Sequence, residues 1–200
     1  MKPFLRIDIR LAPTALLLTL SLAATARGQA MPHYQSTGGS LEFGANYSFL
    51  HANAPAGSCG CFSANSGSGD VVLNLPHAIS AVGDISGYKA NAISGSTQNV
   101  TILNYLFGGR YTVPTHSRLR LYGQALFGVS HESSNYAFVQ SANAFVFSMG
   151  GGAHVPIGGR LGINVIQADW LHSTLPNTGN NRQNDLRLGT GIYLVLGSRR

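Results

Sequence analysis

Charge is what this sequence has least of. Lys, Arg, Asp and Glu together make up 10% of its 200 residues, against roughly 25% in soluble globular chains. Lysine occurs only as Lys2 and Lys89, cysteine only as Cys59 and Cys61, and tryptophan only as Trp170. Past residue 30 the longest apolar run is Ile192-Tyr193-Leu194-Val195-Leu196, far short of the ~20 residues that a membrane-spanning helix needs. Disorder requires high net charge or little apolar content, and neither is present at 44% apolar residues. Collagen requires a strict glycine period, which is absent. The formal net charge of +6 is scattered rather than clustered, which makes a nucleic-acid partner a poor fit.

The N-terminus reads as an address. Lys2, Arg6 and Arg10 precede an apolar stretch of signal-peptide length, LAPTALLLTLSLAA at 11–24. Small-x-small cleavage sites follow at Ala24-Thr25-Ala26 and Gly28-Gln29-Ala30, and the second is favoured. Residues 1–30 are therefore expected to be a secretory signal peptide, 31–39 a short periplasmic segment, and 40–197 the domain. Cleavage after Ala30 leaves nine bases against six acids, a net of +3. Most of the basic excess belongs to the address.

Glycine and alternation are what the rest has in plenty. Glycine supplies 25 residues. Leu41, Phe43, Ala45, Tyr47 and Phe49 alternate with Glu42, Gly44, Asn46 and Ser48. The same period of two runs through Thr101–Tyr111, Leu119–Val129, Phe145–Val155 and Leu186–Leu196, and it is the signal of a β-strand with two unlike faces. Eight such segments are expected, at 40–50, 63–75, 79–88, 99–112, 119–130, 143–155, 160–171 and 185–196. In the seventh, Asn164 lies on one parity while Gln167 and Asp169 lie on the other. A β-bulge near Val165–Ile166 would reconcile them.

Two features favour a membrane barrel over a soluble one. The polar parity is Gly, Ser and Asn with isolated charges, suited to a narrow lumen, and Lys89 is assigned to a loop. The links alternate in length. Those at 76–78, 113–118 and 156–159 are short; those at 51–62, 89–98, 131–142 and 172–184 are longer. Short periplasmic turns alternating with longer outer loops are the pattern of outer-membrane barrels. Tyr47, Phe49, Phe127, Phe145, Phe147 and Trp170 then fall near the long-loop ends of their segments, an expected outer aromatic girdle.

Several stretches resemble a known family. They are Leu106-Phe107-Gly108-Gly109-Arg110-Tyr111, Ala125-Leu126-Phe127-Gly128, 143–152, Gln167-Ala168-Asp169-Trp170-Leu171 and 184–193. They are similar to the outer-membrane β-barrel domain family of Gram-negative bacteria, the small barrels of the OmpA and OmpX type. The resemblance implies an all-β, eight-stranded antiparallel up-and-down transmembrane barrel. Its partners would be outer-membrane lipid and lipopolysaccharide, with the barrel-assembly machinery during biogenesis. Arg187, Gly189, Ile192 and Leu194 resemble the assembly signal, although the chain ends Gly197-Ser198-Arg199-Arg200 and not on an aromatic residue.

Parity directs Glu42, Asp70, Asp84, Arg110, Arg120, Asp169 and Arg187 into the lumen. Buried charges must be paired, so an ion-pair network that plugs the barrel is expected, with Glu42 beside Arg187 at the seam. Cys59 and Cys61 stand in an oxidising compartment as a possible disulfide, free thiols being the alternative, and neither a metal nor a cofactor is expected. His131-Glu132-Ser133 resembles the His-x-Ser arrangement of outer-membrane lipid A deacylases, with His131 as base and Ser133 as nucleophile. The following Ser134-Asn135 pair comes one residue late, and no carboxylate partner is assigned. The expected role is therefore non-enzymatic: a structural barrel, or one that meets a partner through its outer loops. The alternatives are a deacylase-like hydrolase, a small passive pore, and a soluble periplasmic barrel holding a ligand at its centre.

Overall fold

The structure, a computed structural model, describes residues 39–53, 61–91, 99–136, 139–176 and 181–197. The expected signal peptide and all but the last residue of the 31–39 segment lie outside them. Eight strands follow one another: β1 (Ser40–Asn53), β2 (Cys61–Asn74), β3 (Ile79–Ala90), β4 (Val100–Thr112), β5 (Arg120–Tyr136), β6 (Val139–Gly158), β7 (Leu161–Ser173) and β8 (Gln183–Leu196). Each pairs antiparallel with the next, and β8 pairs with β1. The result is a closed up-and-down barrel. Closure leaves no strand edge with unpaired backbone groups, which lipid would not tolerate.

Alternation sets the faces. Leu103, Phe147 and Leu194 point outward, while Arg110 and Arg187 point inward and are buried. The outer surface carries a broad belt of exposed apolar side chains, among them Phe43, Val71, Ile85, Phe107, Leu121, Met149, Ile163 and Ile192. A soluble monomer rarely shows so large an apolar patch.

The bulge on β7 lies where parity required it. The β7–β8 register shifts between Asn164 and Gln167, and the β6–β7 register shifts between Ala153 and His154. Val165 and Ile166 both face outward at 48% and 52% exposure, while Asn164 and Gln167 both face inward. One extra residue thus keeps two polar side chains inside without burying them against lipid-facing neighbours.

Two expectations are corrected. Residues 131–142 are not a loop. β5 and β6 stay paired through Ser133 and Ser141 and meet again at Tyr136 and Val139, making them the longest strands at 17 and 20 residues. The apolar-polar alternation stops at residue 130 because the outward side chains become polar there, not because the strand ends. Lys89 is likewise the penultimate residue of β3, on its exposed face.

The links at the opposite end are tight. Leu75 N–H donates to the Ile79 carbonyl (2.8 Å), with His77 and Ala78 left-handed at φ 65° and 63°. Gly159, also left-handed at φ 57°, turns β6 into β7.

The interior is not uniformly polar, as parity alone had implied. Leu50, Ala52, Phe62, Tyr88, Val100, Ile102, Val146, Leu171 and Leu175 form an apolar cluster inside the long-link end. Ala52, Phe62 and Leu175 continue the inward parity past the ends drawn from periodicity, and the other six are apolar residues on the inward parity of the segments themselves. Toward the short-turn end the interior becomes charged and amide-rich.

At the seam, Gly191 lies opposite Asn46. A Cβ there would overlap the Ala45 carbonyl and the Asn46 amide oxygen. We expect Gly191→Val to destabilise the closed barrel by about 1–3 kcal/mol through overpacking. The measurement is the urea midpoint for loss of heat-modifiable gel mobility; an unchanged midpoint would contradict the tight seam.

Candidate functional site

The most organised chemistry lies inside the barrel. Arg187, on β8, is 1% exposed. Its Nη1 donates to Asp84 Oδ1 on β3 (3.1 Å), and its Nη2 and Nε both donate to Asp169 Oδ2 on β7 (2.7 and 2.9 Å). Asp169 is fully buried. Two carboxylates on one guanidinium are the arrangement that makes such a buried charge tolerable.

From Asp169 a ring of contacts runs around the lumen and returns. Gln124 Nε2 donates to Asp169 Oδ1 (3.1 Å). Gln124 Oε1 accepts from Arg110 Nε and Nη2 (3.1 and 2.8 Å). Arg110 Nη2 lies 3.9 Å from Asp70 Oδ2. Asp70 Oδ1 accepts from Asn46 Nδ2 (2.7 Å), and Asn46 Oδ1 accepts from Asn164 Nδ2 (3.0 Å). Asn164 also donates to Gln167 Oε1 (3.2 Å), and Gln167 Nε2 donates to Asp169 Oδ2 (2.6 Å). Every strand but β6 supplies a member of the ring or of the Arg187 triad. β6 supplies room instead. A Cβ on Gly150 would overlap Asp169, and one on Gly152 would meet the Tyr122 hydroxyl.

The structure does not bring Glu42 and Arg187 together. Glu42 is opposite Val195 across the seam, and Arg187 is opposite Leu50. Eight positions along a strand separate them by on the order of 26 Å. Sequence could place both on one face of adjacent strands, but not slide the strands into register. Glu42 Oε1 instead accepts from Asn74 Nδ2 (2.7 Å), and Asn74 Oδ1 accepts from Ser80 Oγ (2.7 Å). Arg120 is half-buried at the short-turn mouth, opposite His154. Asn46 and Gln124 were not among the expected network residues, and Asn164 and Gln167 stood out from sequence only as the parity conflict in the seventh segment, although each is a polar residue that faces inward.

Glu132 was also missed, because it was read only as the middle of His-x-Ser. It points inward, 3% exposed, and its Oε2 has no hydrogen-bond partner. It stands beyond the apolar belt, since the outward residues flanking it are His131 and Ser133. Burial, and secondarily the Asp185 carboxylate, push its pKa up to about 7.

His131 and Ser133 share the outer face of β5. His131 Nδ1 pairs with Asn143 Oδ1 on β6 (2.8 Å). Two similar pairs occur at the same rim: His172 Nδ1 with Asn184 Oδ1 (2.9 Å) and His51 Nδ1 with Ser63 Oγ (3.4 Å). A repeated rim pairing explains the His131 contact without catalysis. A triad would need a carboxylate there, and none of the described carboxylates lies on the outer face. All six acids beyond residue 30, namely Glu42, Asp70, Asp84, Glu132, Asp169 and Asp185, point inward.

The six aromatic residues assigned to a girdle lie on the outer surface. Phe147 meets Trp170 edge-on at 6.5 Å between ring centres, and Trp170 stacks on His172 at 5.7 Å. Phe127 packs against Phe107 at 4.2 Å. Cys61 is exposed at the start of β2; Cys59, and with it the question of a disulfide, lies outside the described residues.

Solved structures with this arrangement are outer-membrane proteins. Neisserial surface protein A superposes with a TM-score of 0.61 at 14% identity, covering 78% of this chain and 98% of that one. Ail, the attachment invasion locus protein of Yersinia pestis, gives 0.52 at 12% identity, covering 79% and 100%. OprG of Pseudomonas aeruginosa gives 0.53 at 9% identity, covering 80% and 97%. The fold is that of the small outer-membrane barrels. No protein-family model matches the sequence, and no curated protein matches it. In this outer-membrane barrel, the lipid-facing belt and the charged interior are therefore two sides of the same alternation.

Two outcomes are expected of its interior. Arg187→Met leaves Asp84 and Asp169 without their cation and should cost about 3–5 kcal/mol. Adding Asp84→Asn and Asp169→Asn should recover most of that loss, as read by urea unfolding in detergent. Failure of the triple variant to recover would mean that Arg187 acts by shape and not by charge. Glu132 binds its proton more tightly folded than unfolded, so it lowers stability as pH rises from its ordinary range, near 4.5, to about 7. Glu132→Gln should flatten the urea midpoint across that window; a slope identical to that of the parent would rule the assignment out.

Proposed function

We propose that the protein is an integral outer-membrane barrel with a sealed interior, whose contacts with partners are made by its outer loops. The observation that carries this reading is the ring from Asp169 through Gln124, Arg110, Asp70, Asn46, Asn164 and Gln167 back to Asp169. It spans the lumen, and the Arg187 triad ties β3 and β8 to it. An eight-stranded barrel is just wide enough for side chains to fill. Above the ring, the apolar cluster at the long-link end adds a second barrier to water and ions.

The exterior supports the loop reading. Belt and aromatics face lipid, and the histidine pairs and Lys89 lie at the headgroup level, at the strand ends that lead into the long links. Outer-membrane lipid and lipopolysaccharide are the surroundings this surface suits, and the assembly machinery is the expected partner before insertion. Ail, a relative in fold, is named for attachment and invasion.

The test is conductance in planar bilayers. The purified protein should give no steady unitary openings, whereas Asp169→Ala and Arg187→Ala combined with Leu50→Ser and Ile102→Ser, which removes the centre of the network and breaches the apolar cluster, should produce them. Steady openings in the parent protein would favour the small passive pore.

A further inference from the structure

The short-turn end of the interior is not filled. A cavity of about 450 Å³ opens there, beneath the β2–β3 and β4–β5 links, within the usual size of small-ligand pockets, about 300–1,000 Å³. Its walls include Glu42, Asn74 and Ser80 on one side and Arg110, Arg120 and His154 on the other. Its inner end is the amide and ion-pair ring, so on the sealed-interior reading it is a blind pocket and not a passage.

Two charged atoms are left over at its walls. Arg110 donates Nε and Nη2 to Gln124, and no described residue takes a hydrogen bond from its Nη1. Glu42 accepts from Asn74 on Oε1, and no described residue donates to its Oε2. Both side chains are more than nine-tenths buried, and both line the cavity. The wall behind Arg110 is stiff. Its guanidinium lies over the Tyr122 ring at 4.2 Å, and His154 is held between Tyr122 and Tyr193 at 4.5 and 4.7 Å.

We propose that this cavity binds a small zwitterion of about dipeptide size, its carboxylate toward Arg110 and Arg120 and its ammonium toward Glu42. Charge balance selects the class. Asp70 stands 3.9 Å from Arg110 and offsets that guanidinium, which leaves Glu42 and Arg120 as one further charge of each sign in the lining. A ligand with one charge of each sign matches this lining at both ends and adds no net charge to it; a simple anion or cation matches one end only, and net charge in a largely buried pocket is costly. Val113 and Pro114 in the same wall offer apolar contact to small side chains. Glu42 and the arginines lie on opposite walls, which favours separated termini over the adjacent charges of a single amino acid.

The assay is isothermal titration of the full mature chain, refolded in detergent, with L-alanyl-L-alanine and with the same dipeptide acetylated and amidated at its ends. Saturable binding of the free dipeptide is expected, with none for the blocked form. Glu42→Gln and Arg120→Gln should each weaken it at least tenfold while heat-modifiable mobility shows the barrel folded. Absence of binding to the folded parent, equal binding of the blocked dipeptide, or wild-type affinity in both variants would overturn the proposal. Titration in detergent reads the pocket whether or not the barrel conducts, so its failure and the failure of the sealed-interior reading are separate results.

Discussion

A guanidinium held at 1% exposure between two carboxylates is the contact on which the rest of this barrel depends. Arg187 joins β8 to β7 and β3, which are far apart in sequence. Neither the cation nor either anion is tolerable alone in so dry a place. Other features serve the triad. Gln124 and Gln167 hold the remaining oxygen sites of Asp169. The bulge on β7 brings Gln167 and Asp169 to the inward face. The glycines of β6 keep their own side of the lumen empty, so that Asp169 and Tyr122 have somewhere to be.

The same alternation that buries these charges creates the lipid face. A period of two admits no compromise: shifting a strand by one residue would put Arg187 in lipid and Leu186 in the network. The charged interior and the apolar exterior therefore fix one another's register. Beyond the apolar belt the constraint relaxes. There the outward residues become His, Asn and Ser, and cross-strand pairs such as His131 with Asn143 replace contact with lipid.

Much of this was legible in the sequence, because it is local. The eight strands, the inward parity of Asp84, Arg110, Asp169 and Arg187, and the anomaly at Val165–Ile166 all follow from counting by twos. What was not legible depends on how strands slide past one another. Glu42 and Arg187 lie on neighbouring strands with the correct faces, yet the stagger of a closed barrel parts them. Glu132, Ala52 and Phe62 escaped because the segments were ended where the outer face turned polar, while pairing continued; Leu50, Tyr88, Ile102, Val146 and Leu171 lay within the segments but on the parity read as polar. The amides of the ring carry no charge, so an expectation built on ion pairs passes over them as network members, and only their geometry shows that they connect Arg110 to Asp169.

Folding also changes the electrical character that the molecule presents. Before it folds, the chain from residue 31 onward carries six acids and nine bases on one accessible thread. Once the barrel closes, every one of those acids is enclosed, and the skin left to its surroundings displays only basic residues among its ionisable groups of fixed sign. A chain of mixed charges thus becomes a body whose surface offers cations without neighbouring carboxylates: its net charge is unchanged, but a phosphate touching that surface meets no anion to repel it.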